Sequence, residues 1–280
     1  MSHDDTLGAL VQAYVQTQCE VILESREAVA ARDESVVHPV RVAIRRLRAT
    51  LRTFAAAYEI EAGSAFAEEL RWAGTLLGEV RDLQVLAERF ADDDRTSSPA
   101  TYRAIAEEIG RDRAEAWHEV ADGLGSARGA ALFRAIERWR DDPPFAPDAA
   151  RPARRVRKRV AKADAKVNSR LAKVSDAAPA DAGELLHDAR KAAKRHRYAV
   201  ELALPVLGDA AERTIERRQA LQDALGAHQD AVVALDFLQQ LRLDTRNGAS
   251  ADALRDLVER TRESAEDVAG VLREAERLRD

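Results

Sequence analysis

The stretch VHPVRVAIRRLRATLRTF, residues 37–54, holds five arginines and a histidine and not one acid. His38 is followed by Arg41, Arg45, Arg46, Arg48 and Arg52. A second stretch, HDARKAAKRHR, places Arg190, Lys191, Lys194, Arg195 and Arg197 after His187. A third, RPARRVRKRVAKADAKVNSRLAK at 151–173, carries Arg154, Arg155, Lys158, Arg159 and Lys162. The planar guanidinium fork donates paired hydrogen bonds to phosphate oxygens, and lysine adds a mobile point charge. An imidazole beside a phosphate holds its proton near neutral pH. Together these residue types point to anion binding.

At 100° per residue on a helix, Arg41, Arg45, Arg48 and Arg52 fall within about 80° of His38. Val40, Ile44, Leu47, Leu51 and Phe54 point the other way, and Arg46 stands at the flank. His187, Arg190, Lys194 and Arg197 likewise share a face, with Lys191 beside it and Ala189, Ala193, Val200 and Leu207 opposite. The third segment puts Arg151, Arg154, Arg155, Lys158, Arg159, Lys162 and Lys166 on one stripe against Val156, Val160, Val167 and Leu171, with Arg157 out of phase. A solvated helix face normally mixes signs, because opposite charges one turn apart attract and like charges repel. Like charges stacked turn upon turn cost stability unless an anion neutralises them. A 15-residue helix is about 22 Å long, so each stripe has room for several consecutive phosphates.

The whole chain of 280 residues is nonetheless acidic, with a net charge of −5, so the positive charge is local. A hydrophobic content of 46% is enough for a core. A single cysteine, Cys19, excludes intrachain disulfides and multi-cysteine metal sites. No apolar run reaches bilayer length, and residues 1–20 lack the layout of a signal peptide. A cytoplasmic protein without a membrane partner is the simplest reading. Abundant Ala, Leu, Glu and Arg with 5% aromatics predict helix nearly everywhere. The expected helices are 5–31, 35–58, 63–91, 98–124, 127–140, 150–174, 182–206, 209–243 and 249–278. Ser98–Pro99 reads as a cap with a first-turn proline, and Asp181 with Glu184 as a capping box. The proline-rich run 142–150 divides the chain into halves 1–141 and 151–280. The fold class expected is all-α: two antiparallel four-helix bundles.

An internal repeat supports the division. His38, Arg41, Arg45, Arg46 and Arg48 align without a gap with His187, Arg190, Lys194, Arg195 and Arg197. Downstream, Leu77, Gly78 and Asp82 align with Leu225, Gly226 and Asp230 at an offset one residue shorter. The glycines are expected to let two helices approach. Asp82 and Asp230 either aim a basic side chain of the neighbouring helix or are purely structural.

These motifs, HPVRVAIRRLRATLRTF, LLGEVRDLQVL, LHDARKAAKRHRYAVELA and LQDALGAHQDAVV, resemble the CHAD domain, the conserved histidine α-helical domain, over nearly the whole chain. The resemblance implies a single domain of two four-helix bundles related by a pseudo-twofold axis around a basic central groove. It implies binding of inorganic polyphosphate and, as in some relatives, association with polyphosphate granules. It further implies a partnership with CYTH-type enzymes that handle polyphosphate. By resemblance the binding positions are His38, Arg41, Arg45, Arg46, Arg48, His187, Arg190, Lys191, Lys194, Arg195 and Arg197. The basic stripes themselves add Arg52, Arg154, Arg155, Lys158, Arg159 and Lys162. His196 stands where the first copy has Leu47, on the apolar side.

No catalytic residue, metal ligand or cofactor is assigned. Glu184-x-x-His187 and Glu115-x-x-His118 match a di-iron spacing. The first glutamate is better used in a helix cap, however, and Arg190 and Lys194 would repel a dication. His187-Asp188 matches HD phosphohydrolases only as a dipeptide. Nucleic-acid binding is the alternative function, since basic helices also suit DNA and RNA phosphates. Against it, the stripes show no helix-turn-helix signature and no interleaved aromatics for stacking on bases.

Overall fold

The computed structural model describes residues 6–92, 98–175, 179–241 and 250–277. Among them there is no strand, and the all-α expectation is borne out. The helices are α1 (Leu7–Glu24), α2 (Arg26–Ala30), α3 (Val37–Thr53), α4 (Ile60–Asp92), α5 (Pro99–Gly125), α6 (Ala127–Asp141), α7 (Val156–Ser175), α8 (Pro179–Leu207), α9 (Asp209–Gln240), α10 (Ala251–Glu266) and α11 (Val268–Arg277). No helix among the described residues is long and apolar enough to cross a membrane.

Several boundaries differ from the sequence expectation: the helix expected over 35–58 ends at Thr53, that over 63–91 begins at Ile60, that over 249–278 divides at Asp267, and three further differences have a clear local reason. The helix expected over 5–31 breaks at Ser25, whose hydroxyl donates to the Val21 carbonyl (2.7 Å) and competes with the helix ladder. The basic helix expected from 150 begins instead as two 3-10 turns, 147–150 and 153–155, and becomes α-helical only at Val156. Arg154 and Arg155 therefore lie outside the regular helical phase. Asp181 is not a cap: α8 starts at Pro179, where a proline costs no hydrogen bond, and Asp181 sits in the first turn, favourably placed on the helix dipole. Pro99 does open α5 as expected. Positions 5, 242–243, 249 and 278 of the expected helices lie outside the described residues.

Three apolar clusters hold the helices. In the largest, α1, α3, α4 and α6 pack with one end of α5, around Leu7, Val11, Val15, Leu47, Leu70, Leu77 and Ile136. Ala199, Leu202 and Ala203 of α8 complete this cluster from the other half of the chain. The second joins α7, α8 and α9 through Val167, Leu171, Ala189, Ala192, Ala193, Leu221 and Leu225. Its alanines allow the helices to lie close. The third joins Leu86 and Phe90 of α4 and Ile105 of α5 to Ala234 and Leu238 of α9 and Leu257 of α10. Two of the three clusters thus draw side chains from both sides of the proline-rich segment.

That segment is packed and not a free tether. Ala146 N–H donates to the Ala57 carbonyl (2.9 Å), Glu59 N–H to Pro144 (2.9 Å) and Leu7 N–H to Arg151 (2.7 Å). Phe145 stacks on Tyr58 at 5.4 Å between ring centroids, and Trp139 lies 5.0 Å from Tyr58 and 4.7 Å from Phe66. An aromatic corner therefore fastens the proline-rich segment to the first half.

Because Leu202 fills the first cluster from α8, truncating it leaves a cavity between halves of the chain. Leu202→Ala should lower the unfolding free energy by about 2–5 kcal/mol in urea titration, in a single transition. A change below about 0.5 kcal/mol would mean that α8 contributes nothing to that core.

Candidate functional site

The basic faces of α3 and α8 meet where the two helices pack on each other. Arg190, Arg45 and Arg41 all repel the Lys194 ammonium of α8, and Arg190 in turn feels Arg45. Burial, followed by the repulsion of Arg190 and Arg45, pushes the Lys194 ammonium from 10.5 down to about 7, although Asp230 pulls the other way. Arg45 and Arg190 each keep a buried Nε without an acceptor among the described residues. A convergence of cations that the protein leaves partly unneutralised is what a polyanion site requires.

The two central arginines each lie against a glycine of the repeated motif. Arg41 Nη1 donates to the Gly78 carbonyl, to the Leu77 carbonyl (3.2 Å) and towards Asp82 Oδ1 (3.4 Å). A Cβ on residue 78 would come 3.3 Å from this nitrogen, and one on residue 226 would come 3.5 Å from Arg190 Nη2. Gly78 and Gly226 thus make room for a guanidinium against the backbone, a different use from the helix–helix approach expected of them. Asp82 pairs with Arg41, as one of its two expected roles required. Its carboxyl is raised by desolvation and by Asp230 and lowered by Arg41 and Arg190, so the two aspartates lie near the junction of the half-sites.

Both repeated histidines border the basic face. His38, exposed at the start of α3, is lowered by desolvation and then by Arg81, Arg45 and Arg41. His187 Nδ1 is hydrogen-bonded to Gln229 Oε1 (3.0 Å) and is lowered by desolvation and by Lys191. His118 Nδ1 faces Arg32 at 3.3 Å. None of these contacts resembles a metal shell, and no group of three His, Cys, Asp or Glu side chains among the described residues has metal-binding geometry.

Further along, Arg52 and Arg195 line a cleft of about 430 Å³ with Arg159, Lys162 and Lys166 of α7. Burial and then Arg52 lower the Arg195 guanidinium. Arg159 already has a carboxylate, Asp148 Oδ2 at 2.6 Å. Lys191 lies 3.8 Å from Asp188. Arg48 is lowered by desolvation, then by Arg52 and Arg71, and turns toward α4 near Glu68. Arg154, Arg155 and Lys158 are exposed. Arg157, out of phase on the sequence, donates to the Val206 carbonyl (2.6 Å).

Arg46 and Arg197 were expected to bind anion but have a protein partner. Arg46 Nε lies 2.9 Å from Glu201 Oε2, Arg197 Nε lies 3.6 Å from Oε1, and Tyr14 donates to the same carboxylate at 2.9 Å. Both guanidiniums also lie over the buried Tyr198 ring, 5.7 and 5.0 Å from its centroid. Glu201 is a single acid in the run YAVELALPVL, and only the tertiary fold tells that it crosses to Arg46. Arg81, beside His38, was missed as well, although it directly precedes Asp82 in a repeated motif.

The described residues form an all-helical fold in which two basic helices pack on each other. The CHAD domain profile matches residues 13–239, and the chain belongs to the CHAD domain family, a family associated with polyphosphate binding. The structure is similar to PptA from Streptomyces chartreusis, with a TM-score of 0.78, 20% identity and coverage of 97% of this chain and 99% of that one. It is similar also to the crystal structure of the CHAD domain from the plant Ricinus communis, with a TM-score of 0.75, 24% identity and coverage of 99% and 93%. At those identities the likeness establishes the fold. Two Mycobacterium tuberculosis proteins, Rv2226 of strain H37Rv and MT2285 of strain CDC 1551, are each 28% identical over 285 residues; both are named as uncharacterized. The chain spans about half the length of these relatives, with 52% of each covered.

Lys194 links the site to stability. An unfolded chain keeps this lysine charged up to about 10.5, whereas the folded protein keeps it charged only below about 7. Between these values the unfolded state holds the extra proton, so stability falls as pH drops through that window and the deficit is complete below 7. Lys194→Met should therefore raise unfolding free energy at pH 7 by on the order of 1–3 kcal/mol in denaturant titration, with little gain at pH 10.5. A less stable variant at pH 7 would show that Lys194 is not under strain.

Proposed function

We propose that the groove between α3 and α8 binds inorganic polyphosphate and does not cleave it. The observation that carries this reading is the convergence of Arg41, Arg45, Arg190 and Lys194 from two helices, with Lys194 forced down to about 7 by its surroundings. Phosphate oxygens entering there supply acceptors to the unpartnered Nε groups of Arg45 and Arg190 and restore the lysine proton. His38 and His187 stand at the margins, and Arg52, Arg195, Lys162 and Lys166 line the neighbouring cleft for a chain that extends beyond the junction. The family's association with polyphosphate supports the choice of ligand. Nucleic acid is disfavoured because Tyr198, buried beneath Arg46 and Arg197, offers no face to a base.

Binding without chemistry follows from the absence of any assigned nucleophile, base or metal ligand in this reading; polyphosphate incubated with the protein should stay intact. The relatives' greater length and the resemblance make polyphosphate-handling enzymes such as CYTH-type proteins the partners we propose. The cytoplasm, on polyphosphate granules, is the proposed location.

Affinity should increase with chain length until the groove is filled. It should fall linearly in log–log form with salt, as for other linear polyanions that shed condensed counterions. It should also strengthen from pH 8 to pH 6, as Lys194 and the two lowered histidines gain protons. Calorimetry with triphosphate and with medium and long polyphosphate at two salt concentrations measures this. Equal, salt-insensitive affinity for triphosphate and long chains would indicate a compact pocket instead.

The two helices should matter equally. Arg45→Glu and Lys194→Glu should each weaken binding at least about tenfold while circular dichroism stays helical, since each replaces attraction by repulsion at a charge-assisted contact. If one reversal abolished binding and the other left it unchanged, the ligand would lie on a single helix.

A further inference from the structure

His196 is nine residues from His187, which places it half a revolution around α8 from the basic face. It is 2% exposed, and its Nδ1 accepts from Arg218 Nε at 3.0 Å. Arg218, 6% exposed, donates Nη2 to Asp164 Oδ1 at 2.6 Å. Burial lowers the imidazole to about 4, so the ring is neutral and acts as an acceptor for the arginine. Two of the guanidinium's three nitrogens are thereby fixed by α8 and α7, while Nη1 is buried without an acceptor among the described residues.

Arg218 lines a cleft of about 370 Å³ among α7, α8 and α9, with Arg157 and Arg217 as its other cations. Arg157 is held by its bond to the Val206 carbonyl and keeps further N–H groups on its fork. Val160 and Leu207 supply an apolar wall, and Asp164 an acidic one. A rigid buried arginine, a second arginine at the mouth and an apolar side suit one terminal anionic group on a compact organic body. The Asp164 carboxylate repels any phosphate that continues past the first, so a long polyanion suits this cleft poorly.

We propose that this cleft is a second anion site, separate from the α3–α8 groove, which takes a small phosphomonoester with its phosphate on Arg218 and Arg157 and its organic part against Val160 and Leu207.

The test uses glycerol 3-phosphate, inorganic phosphate and glycerol in calorimetric titrations of the full chain carrying Lys194→Glu, so that the groove does not compete. Glycerol 3-phosphate should bind one to one, more tightly than inorganic phosphate, and glycerol should not bind. Arg157→Gln, at an exposed position, should weaken glycerol 3-phosphate roughly tenfold, as expected for a lost charged hydrogen bond, and leave polyphosphate binding of the otherwise native chain unchanged. Arg218→Gln, with helicity checked by circular dichroism, should do the same or more. No binding by about 10 mM, equal affinity for inorganic phosphate, or an affinity unmoved by Arg157→Gln would each overturn the proposal. Binding that is present in the native chain but lost with Lys194→Glu would assign the phosphoester to the groove and overturn it too.

Discussion

Like charges forced together at the contact between α3 and α8 set the terms for the rest of the molecule. The helices pack through small and apolar residues, and that packing leaves Arg41, Arg45, Arg190 and Lys194 as near neighbours. Charges at such spacing repel strongly where water is partly excluded. The three apolar clusters, two of them shared between halves of the chain, supply the binding energy that holds the repulsive arrangement in place. On the proposed reading, a site prepared in advance in this way spends little free energy on rearrangement when an anion arrives.

The chain neutralises some of its cations and leaves others. Glu201, with Tyr14, occupies Arg46 and Arg197, and Asp148 occupies Arg159. Arg41 is steered by two carbonyls and Asp82, and Gly78 leaves the space for its guanidinium. The corresponding room beside Gly226 is used by Arg190. Internal carboxylates thus take up Arg46, Arg197 and Arg159, while at the centre Asp82 and Asp230 offset Arg41, Arg45, Arg190 and Lys194 only in part. His196, Arg218 and Asp164 form a different kind of cluster, with fixed partners and one donor left over, on the far side of α8.

Much of this was legible before the structure. Basic residues at helical spacing with apolar residues opposite identified α3, α7 and α8 and the faces they bury: Val40, Ile44, Leu47 and Leu51 are all buried, as are Ala189, Ala193 and Val200. Helix limits were harder to read where local chemistry competes, as at Ser25 and in the 3-10 turns before Val156. Within the site, residue type revealed which side chains can bind an anion but not which already have a partner. Arg46 and Arg45 are neighbours of the same type, yet a glutamate 155 residues away neutralises only the first. Sequence pointed to His38 and His187 as the titrating groups of the site; burial and neighbours, which have no local sequence signal, also lower Lys194 to about 7.

The central claim is that the groove holds its cations short of negative charge until a polyanion enters. Calorimetry at pH 8 in two buffers of different ionisation enthalpy reads the protons exchanged on binding long-chain polyphosphate. The account predicts net proton uptake, approaching one proton per site, and its loss in Lys194→Met. Binding of equal strength in both proteins with no proton exchanged would contradict it.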